Sequence, residues 1–181
     1  MKSFSLALLA NLIFFGASHA QQSPPSQAIP RNGETVFVQA GRLLADPESG
    51  VVLRDKTLVI TAGRVAEIRD GFVGEGNVVD LRQHFVMPGL IDSHVHLTSE
   101  QNPNGRLMAV TESDADRAIL GAQYARRTLM AGFTTVADLG GPNDSVFALR
   151  DGIAAGQIPG PRIVASGRSI SVHGGHGDVN G

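Results

Sequence analysis

His94-Val95-His96 is the feature of this sequence best suited to chemistry. Residues two apart in a strand point to the same face, so a strand here would set both imidazoles side by side. Two neutral imidazoles suit a borderline divalent cation such as zinc. They do not complete a catalytic site, which usually takes three protein ligands and a water. A lone HxH also arises as chance or packing, so its place in the fold decides how it is read. Asp92 precedes His94 by two residues, on the same face and one layer deeper. There it either orients a ligand from behind or makes a buried structural hydrogen bond. Asp138 ends the next strand-like segment, where a functional carboxylate and a loop cap are both open readings. His84 reads as a surface residue, and the chain holds no P-loop, dinucleotide fingerprint or nucleophile elbow.

The elements that must position these groups fall into two stretches. Short β signals at residues 35–40 (TVFVQA), 57–60 (TLVI), 65–68 (VAEI) and 78–81 (VVDL) are separated by turn formers. Close spacing with glycine turns predicts a small antiparallel sheet over residues 34–84. The pattern changes at Phe85. Residues 85–97 (FVMPGLIDSHVHL) form an apolar run ending in polar residues, which places the two histidines at a strand's C-terminal end. Ala115, Ala118, Ile119, Ala122, Ala125 and Leu129 recur at helical steps across residues 112–131, with Ser113 or Thr111 to cap the start and Gly132 to end it. A strand at 133–139, a helix at 145–155 and a strand at 162–166 follow. Strand, helix, strand, helix, strand predicts a parallel sheet with helical crossovers. A (β/α)8 TIM barrel takes ~250 residues, so residues 85–181 are expected to be the first third of one, with three strands, and the chain to be an N-terminal fragment.

The first twenty residues have the form of a secretory signal peptide. Met1-Lys2 gives a positive start, residues 4–15 are largely apolar, and Ser18-His19-Ala20 offers a cleavage site. The apolar run falls short of the ~20 residues that span a bilayer, so no stable membrane anchor is expected after cleavage. Residues 21–33 contain QQSPPSQAIP, a flexible leader. The expected location is periplasmic or extracellular, and the absence of cysteine rules out disulfides there. Removing Lys2 leaves 14 of the 15 basic residues against 17 acidic ones, a net charge near −3. With no basic cluster and no tryptophan, nucleic acid is not an expected partner.

Met87-Pro88-Gly89-Leu90-Ile91-Asp92-Ser93-His94-Val95-His96-Leu97 resembles the first-strand motif of the amidohydrolase superfamily. Gly132-Phe133-Thr134-Thr135-Val136 resembles that family's second-strand entry. Residues 160–167 (GPRIVASG), followed by His176, resemble the third strand of its imidazolonepropionase-like branch, which includes Xaa-Pro dipeptidase-like and carboxypeptidase-like hydrolases. Ala137 stands where many relatives carry arginine. The resemblance covers nearly the whole mature chain. It implies that residues 34–84 belong to a composite β-sandwich domain. It also implies that His94 and His96 are metal ligands for one or two divalent ions, zinc above all, and that a metal-activated water cleaves an amide or peptide C–N bond. The remaining ligands and the catalytic aspartate would come from later strands, so no catalytic residue is expected within this chain. By the same resemblance the loop after the third strand borders the substrate pocket, which offers His176, and less strongly His173, as substrate contacts. The expected partner is a small-molecule or peptide substrate, and the sequence leaves a homo-oligomer open. Two rivals stand beside this reading: a hydrolase of a small cyclic amide, and a non-catalytic binding protein from a truncated gene.

Overall fold

Apolar residues recurring from Val36 onward form the first strand of a computed structural model that describes residues 34–141, 144–168 and 170–175. The expected signal peptide and leader, and His176, lie outside the described residues. Strand β1 (Thr35–Leu44) pairs antiparallel with β2 (Val52–Thr61), which pairs antiparallel with β3 (Arg64–Asp70). Ala62 and Gly63 both take positive φ, 51° and 73°, in the β2–β3 turn, the conformation that matches the twist of a tight hairpin.

Strand β4 (Val78–Val86) corrects the expected antiparallel sheet. It lies on the far side of β1 and runs parallel to it, so the order is β3-β2-β1-β4. The cause is the connection over residues 71–77, which crosses the sheet instead of turning back beside β3. Polar groups on the sheet hold it there. The Thr57 hydroxyl donates to the Gly71 carbonyl at 2.8 Å and accepts from the Val73 N–H at 3.1 Å. Gln39 Nε2 donates to the Val73 carbonyl at 3.3 Å, and the Phe37 N–H donates to the Asn77 carbonyl at 2.9 Å. Buried Thr57 is thus explained by its partners. Phe85 and Val86 still pair with Arg42 and Leu43 in this sheet, so the change of pattern expected at Phe85 falls two residues later.

Three parallel strands follow in the order β5-β6-β7: β5 (Leu90–Val95), β6 (Phe133–Asp138) and β7 (Arg162–Ala165). Helices α1 (Gly105–Thr111) and α2 (Asp114–Met130) join β5 to β6, and α3 (Ser145–Ala154) joins β6 to β7. The strand–helix alternation and the two long helices agree with the sequence reading. Helix α1 does not figure in it, because residues 98–111 carry turn formers and no helical period.

Helix α2 begins as its sequence requires. The Ser113 hydroxyl accepts from the Asp116 N–H, and the Asp116 carboxylate accepts from the Ser113 N–H, a reciprocal capping box. Its inward face is centred on Arg117, Gly121 and Ala125, four residues apart. Ala118, Ala122 and Leu129 lie beside that face, but Ala115 and Ile119 are solvent-exposed. The rotation follows from Gly121, where a side chain would come 3.3 Å from the Leu97 carbonyl and 3.0 Å from Leu149. Only the smallest residue lets the helix approach the end of β5 this closely. The resulting core joins Leu97, Ala125, Val136, Val146, Leu149 and Ile163. No helix among the described residues is long and apolar enough to cross a membrane.

Candidate metal centre at the ends of β5 and β6

Val95 packs against the core and Leu97 lies within it, so the alternation of an extended chain turns His94 and His96 away from the helices. The two rings meet edge to face, with centroids 5.4 Å apart and planes at 75°. Both side chains are exposed at the carboxyl end of the parallel sheet. Ligands bind at this end in parallel α/β folds, where the loops are free to vary.

His96 is held from behind. Its Nδ1 lies 2.6 Å from the Gly140 carbonyl oxygen. A carbonyl only accepts, so Nδ1 must carry the hydrogen and Nε2 keeps its lone pair. This is the arrangement that fixes the tautomer and orientation of a metal-binding imidazole. The donor chemistry of the pair therefore fits a divalent ion. The donor number does not complete a site, because no group of three or more His, Cys, Asp or Glu among the described residues could hold a metal ion.

Asp92 does not lie in line beneath His94. Asp92 pairs with Val136, whereas Val95 pairs with Asp138, so β5 spends three residues where β6 spends two. This bulge interrupts the alternation that the sequence reading extended from Asp92 to His94. Instead Asp92 Oδ1 accepts from the backbone N–H of His94 at 3.0 Å, which stabilises the bulge and not the imidazole. Asp138 is fully buried, and both of its oxygens accept backbone hydrogens. Oδ2 takes the Leu97 N–H at 2.7 Å and Oδ1 the Gly140 N–H at 3.2 Å. His173 stands exposed in the turn that Gly175 closes by donating to the Val172 carbonyl. Gly140 was missed as a member of the site. Its signal in the sequence is the glycine doublet directly after a strand, and its φ of 155° explains the residue type.

Beside this centre the Thr98 hydroxyl is buried and has no hydrogen-bond partner among the described residues. It lines a cavity of about 30 Å³ with Glu112, Arg117 and Tyr124 among the walls. Arg117 closes that side by donating to the Met108 carbonyl at 3.1 Å and standing 3.7 Å from the Glu112 carboxylate.

The sequence profile of the Amidohydrolase family matches residues 85–180, and the chain belongs to that family. Among solved structures it is similar to a Xaa-Pro dipeptidase with methionine bound in its active site, at 36% identity and a TM-score of 0.71. That match covers 82% of this chain and 37% of the dipeptidase. An ochratoxinase from Aspergillus niger is 28% identical over 167 residues, 88% of this chain and 33% of the relative. A dihydroorotase from Anaeromyxobacter sp. (strain K) is 39% identical over 66 residues, 35% of this chain and 15% of the relative. The chain thus spans roughly a third or less of the proteins it resembles.

Proposed function

We propose that the protein carrying this chain is an exported metal-dependent hydrolase that cleaves an amide or peptide C–N bond. The observation that carries this reading is the His94–His96 pair, with His96 oriented through Nδ1 and the Gly140 carbonyl. In this reading β5, β6 and β7 are the first three strands of a (β/α)8 barrel, and the β1–β4 sheet is part of a β-sandwich domain. His94 and His96 would hold one of one or two divalent ions, zinc being the ion their donor type favours. The ion would supply Lewis acidity and lower the pKa of a bound water to make a nucleophile near neutral pH.

This chain's own residues present two imidazole lone pairs at one rim and prevent one of them from turning. They also seal the back of the site with Leu97 and the helix core, so that substrate approaches from the opposite face. The similarity to a Xaa-Pro dipeptidase supports a peptide or small amide as substrate. His173, and His176 beyond the described residues, would then line the approach. The form of residues 1–20 supports export.

The full-length protein tests this directly. Removing bound metal with a chelator is expected to abolish hydrolysis of dipeptides, and zinc should restore it. His96→Ala is expected to lower activity ~10³-fold or more, since metal charge stabilisation is worth several kcal/mol and each 1.36 kcal/mol is tenfold. Equilibrium dialysis should show the variant binding metal more weakly than the parent. Full activity after chelation would overturn the proposal.

A further inference from the structure

We infer that Asp138 is a positioning residue for His96, acting through Gly140 and the chain after β5. A buried carboxylate is costly unless its oxygens are satisfied, and among the described residues Asp138 forms no ion pair. Its two partners are both backbone amides, and both belong to the segments that carry the candidate metal centre. Leu97 follows His96 directly, so the 2.7 Å bond from its N–H fixes the peptide on the C-terminal side of the histidine. Gly140 presents its N–H to the carboxylate and its carbonyl to His96 Nδ1, at 3.2 and 2.6 Å. The four groups close a ring: His96 imidazole, Gly140 peptide, Asp138 carboxylate, Leu97 amide.

The ring is anchored from both sides. The Leu139 N–H donates to the Val95 carbonyl at 3.2 Å, and the Ser166 N–H donates to the Asp138 carbonyl at 2.9 Å. The Gly141 N–H donates to the Gly167 carbonyl at 3.1 Å, tying the glycine loop to the end of β7. The Gly140 carbonyl is therefore held where the imidazole must donate to it. A carboxylate is required at residue 138 because two N–H groups converge on it. An amide side chain offers one oxygen and one NH2, so asparagine would satisfy one of the two and set a donor against the other. The inference rests on the metal reading for its consequence, and on hydrogen bonds alone for the tautomer it enforces.

Two readouts separate these. In the metal-free, full-length protein with isotope-labelled histidine, ¹⁵N shifts report which ring nitrogen of His96 carries the hydrogen. The wild type is expected to show the Nδ1–H tautomer, with slow amide exchange at Leu97 and Gly140. Asp138→Asn is expected to give a mixture of tautomers and faster exchange at one of those amides. In zinc competition against a chromophoric chelator, Asp138→Asn is expected to bind 10- to 100-fold more weakly, the range typical of losing a group that orients a metal ligand. Leu43→Ala, a buried substitution in β1 of the other sheet, controls for lost stability and is expected to leave zinc affinity within about twofold, since its mechanism is a cavity and not a lost ligand contact.

A wild-type His96 in the Nε2–H form would overturn the inference without any variant, and so would Asp138→Asn with unchanged tautomer and affinity. An equal loss of affinity in Leu43→Ala would reduce Asp138 to a residue of general stability and defeat the proposal. If the wild type and His96→Ala bind zinc alike, the metal reading fails, and the tautomer measurement still decides the role of Asp138.

Discussion

The two sheets of this chain use the same kind of strand under different cover. The β5–β7 sheet has helices against one face, and its core is a single cluster that includes Leu97, Val136 and Leu149. The β1–β4 sheet is crossed by residues 71–77 and buries few side chains, chiefly Val36, Ala40, Leu43, Thr57 and Val59. Every residue of β3 is exposed, and the ion pairs of β2, β3 and β4 lie on the surface. The candidate centre belongs to the covered sheet. Orienting an imidazole requires a backbone that does not shift, and close packing behind Leu97 supplies it.

The largest test of this contrast is a pair of truncations followed by urea denaturation. Leu149 is 1% exposed and stands in the middle of the covered core, so Leu149→Ala is expected to cost about 2–5 kcal/mol. Val65 in β3 is 55% exposed, and Val65→Ala should stay within about 0.5 kcal/mol. Similar losses at both positions would break the comparison, because they would mean that β3 is covered in solution by something as well packed as the helices.

A smaller effect sharpens it. Ser113 starts the helix that covers the second sheet, with both halves of its capping box formed. Ser113→Ala is expected to cost about 1 kcal/mol in thermal or urea denaturation. Amide exchange should quicken in the first turn of α2 and stay unchanged in β1 and β2. A change spread evenly over both sheets would mean that they unfold as one unit.

What could be read from the sequence divides along the same line. From α2 onward the strands and helices follow from period and caps: Ser113, Gly132 and the apolar runs mark ends within a residue or two of those observed. The shared side of His94 and His96 is legible because exposed and covered residues keep alternating from His94 through Leu97, just past the end of β5. The expected alignment of Asp92 beneath His94 fails because alternation assumes a regular ladder, and a bulge adds one residue between Asp92 and Val95. Its role is set by register, which a single strand's sequence does not encode. The parallel placement of β4 was equally hidden. It depends on Thr57 and Gln39 holding a loop across the sheet, and two polar residues in a strand carry no mark of what they will bind. Gly140 and Asp138 were visible as a loop and its cap, but their link to His96 spans 44 residues and exists only in the folded chain.

The smallest expected effect concerns charge on the open sheet. Asp80 is held at about 2, below the ordinary carboxylate value of 3.8, first by the Arg82 side chain and then by the Arg82 backbone N–H. The guanidinium binds both oxygens, Nε to Oδ1 at 2.9 Å and Nη2 to Oδ2 at 2.6 Å. Because the folded value lies below the unfolded one, the contribution is complete above about pH 4 and fades as pH falls through about 2. Solvent surrounds this pair, so its effect on stability should be slight and weaken further in salt. Arg82→Ala is expected to return Asp80 to the usual carboxylate range in a ¹³C carboxyl titration. The same variant should leave the acid transition of the β5–β7 sheet where it was. A shift of that transition would show that charge on the open sheet reaches the covered one, and the contrast between the two would then lose its electrostatic half.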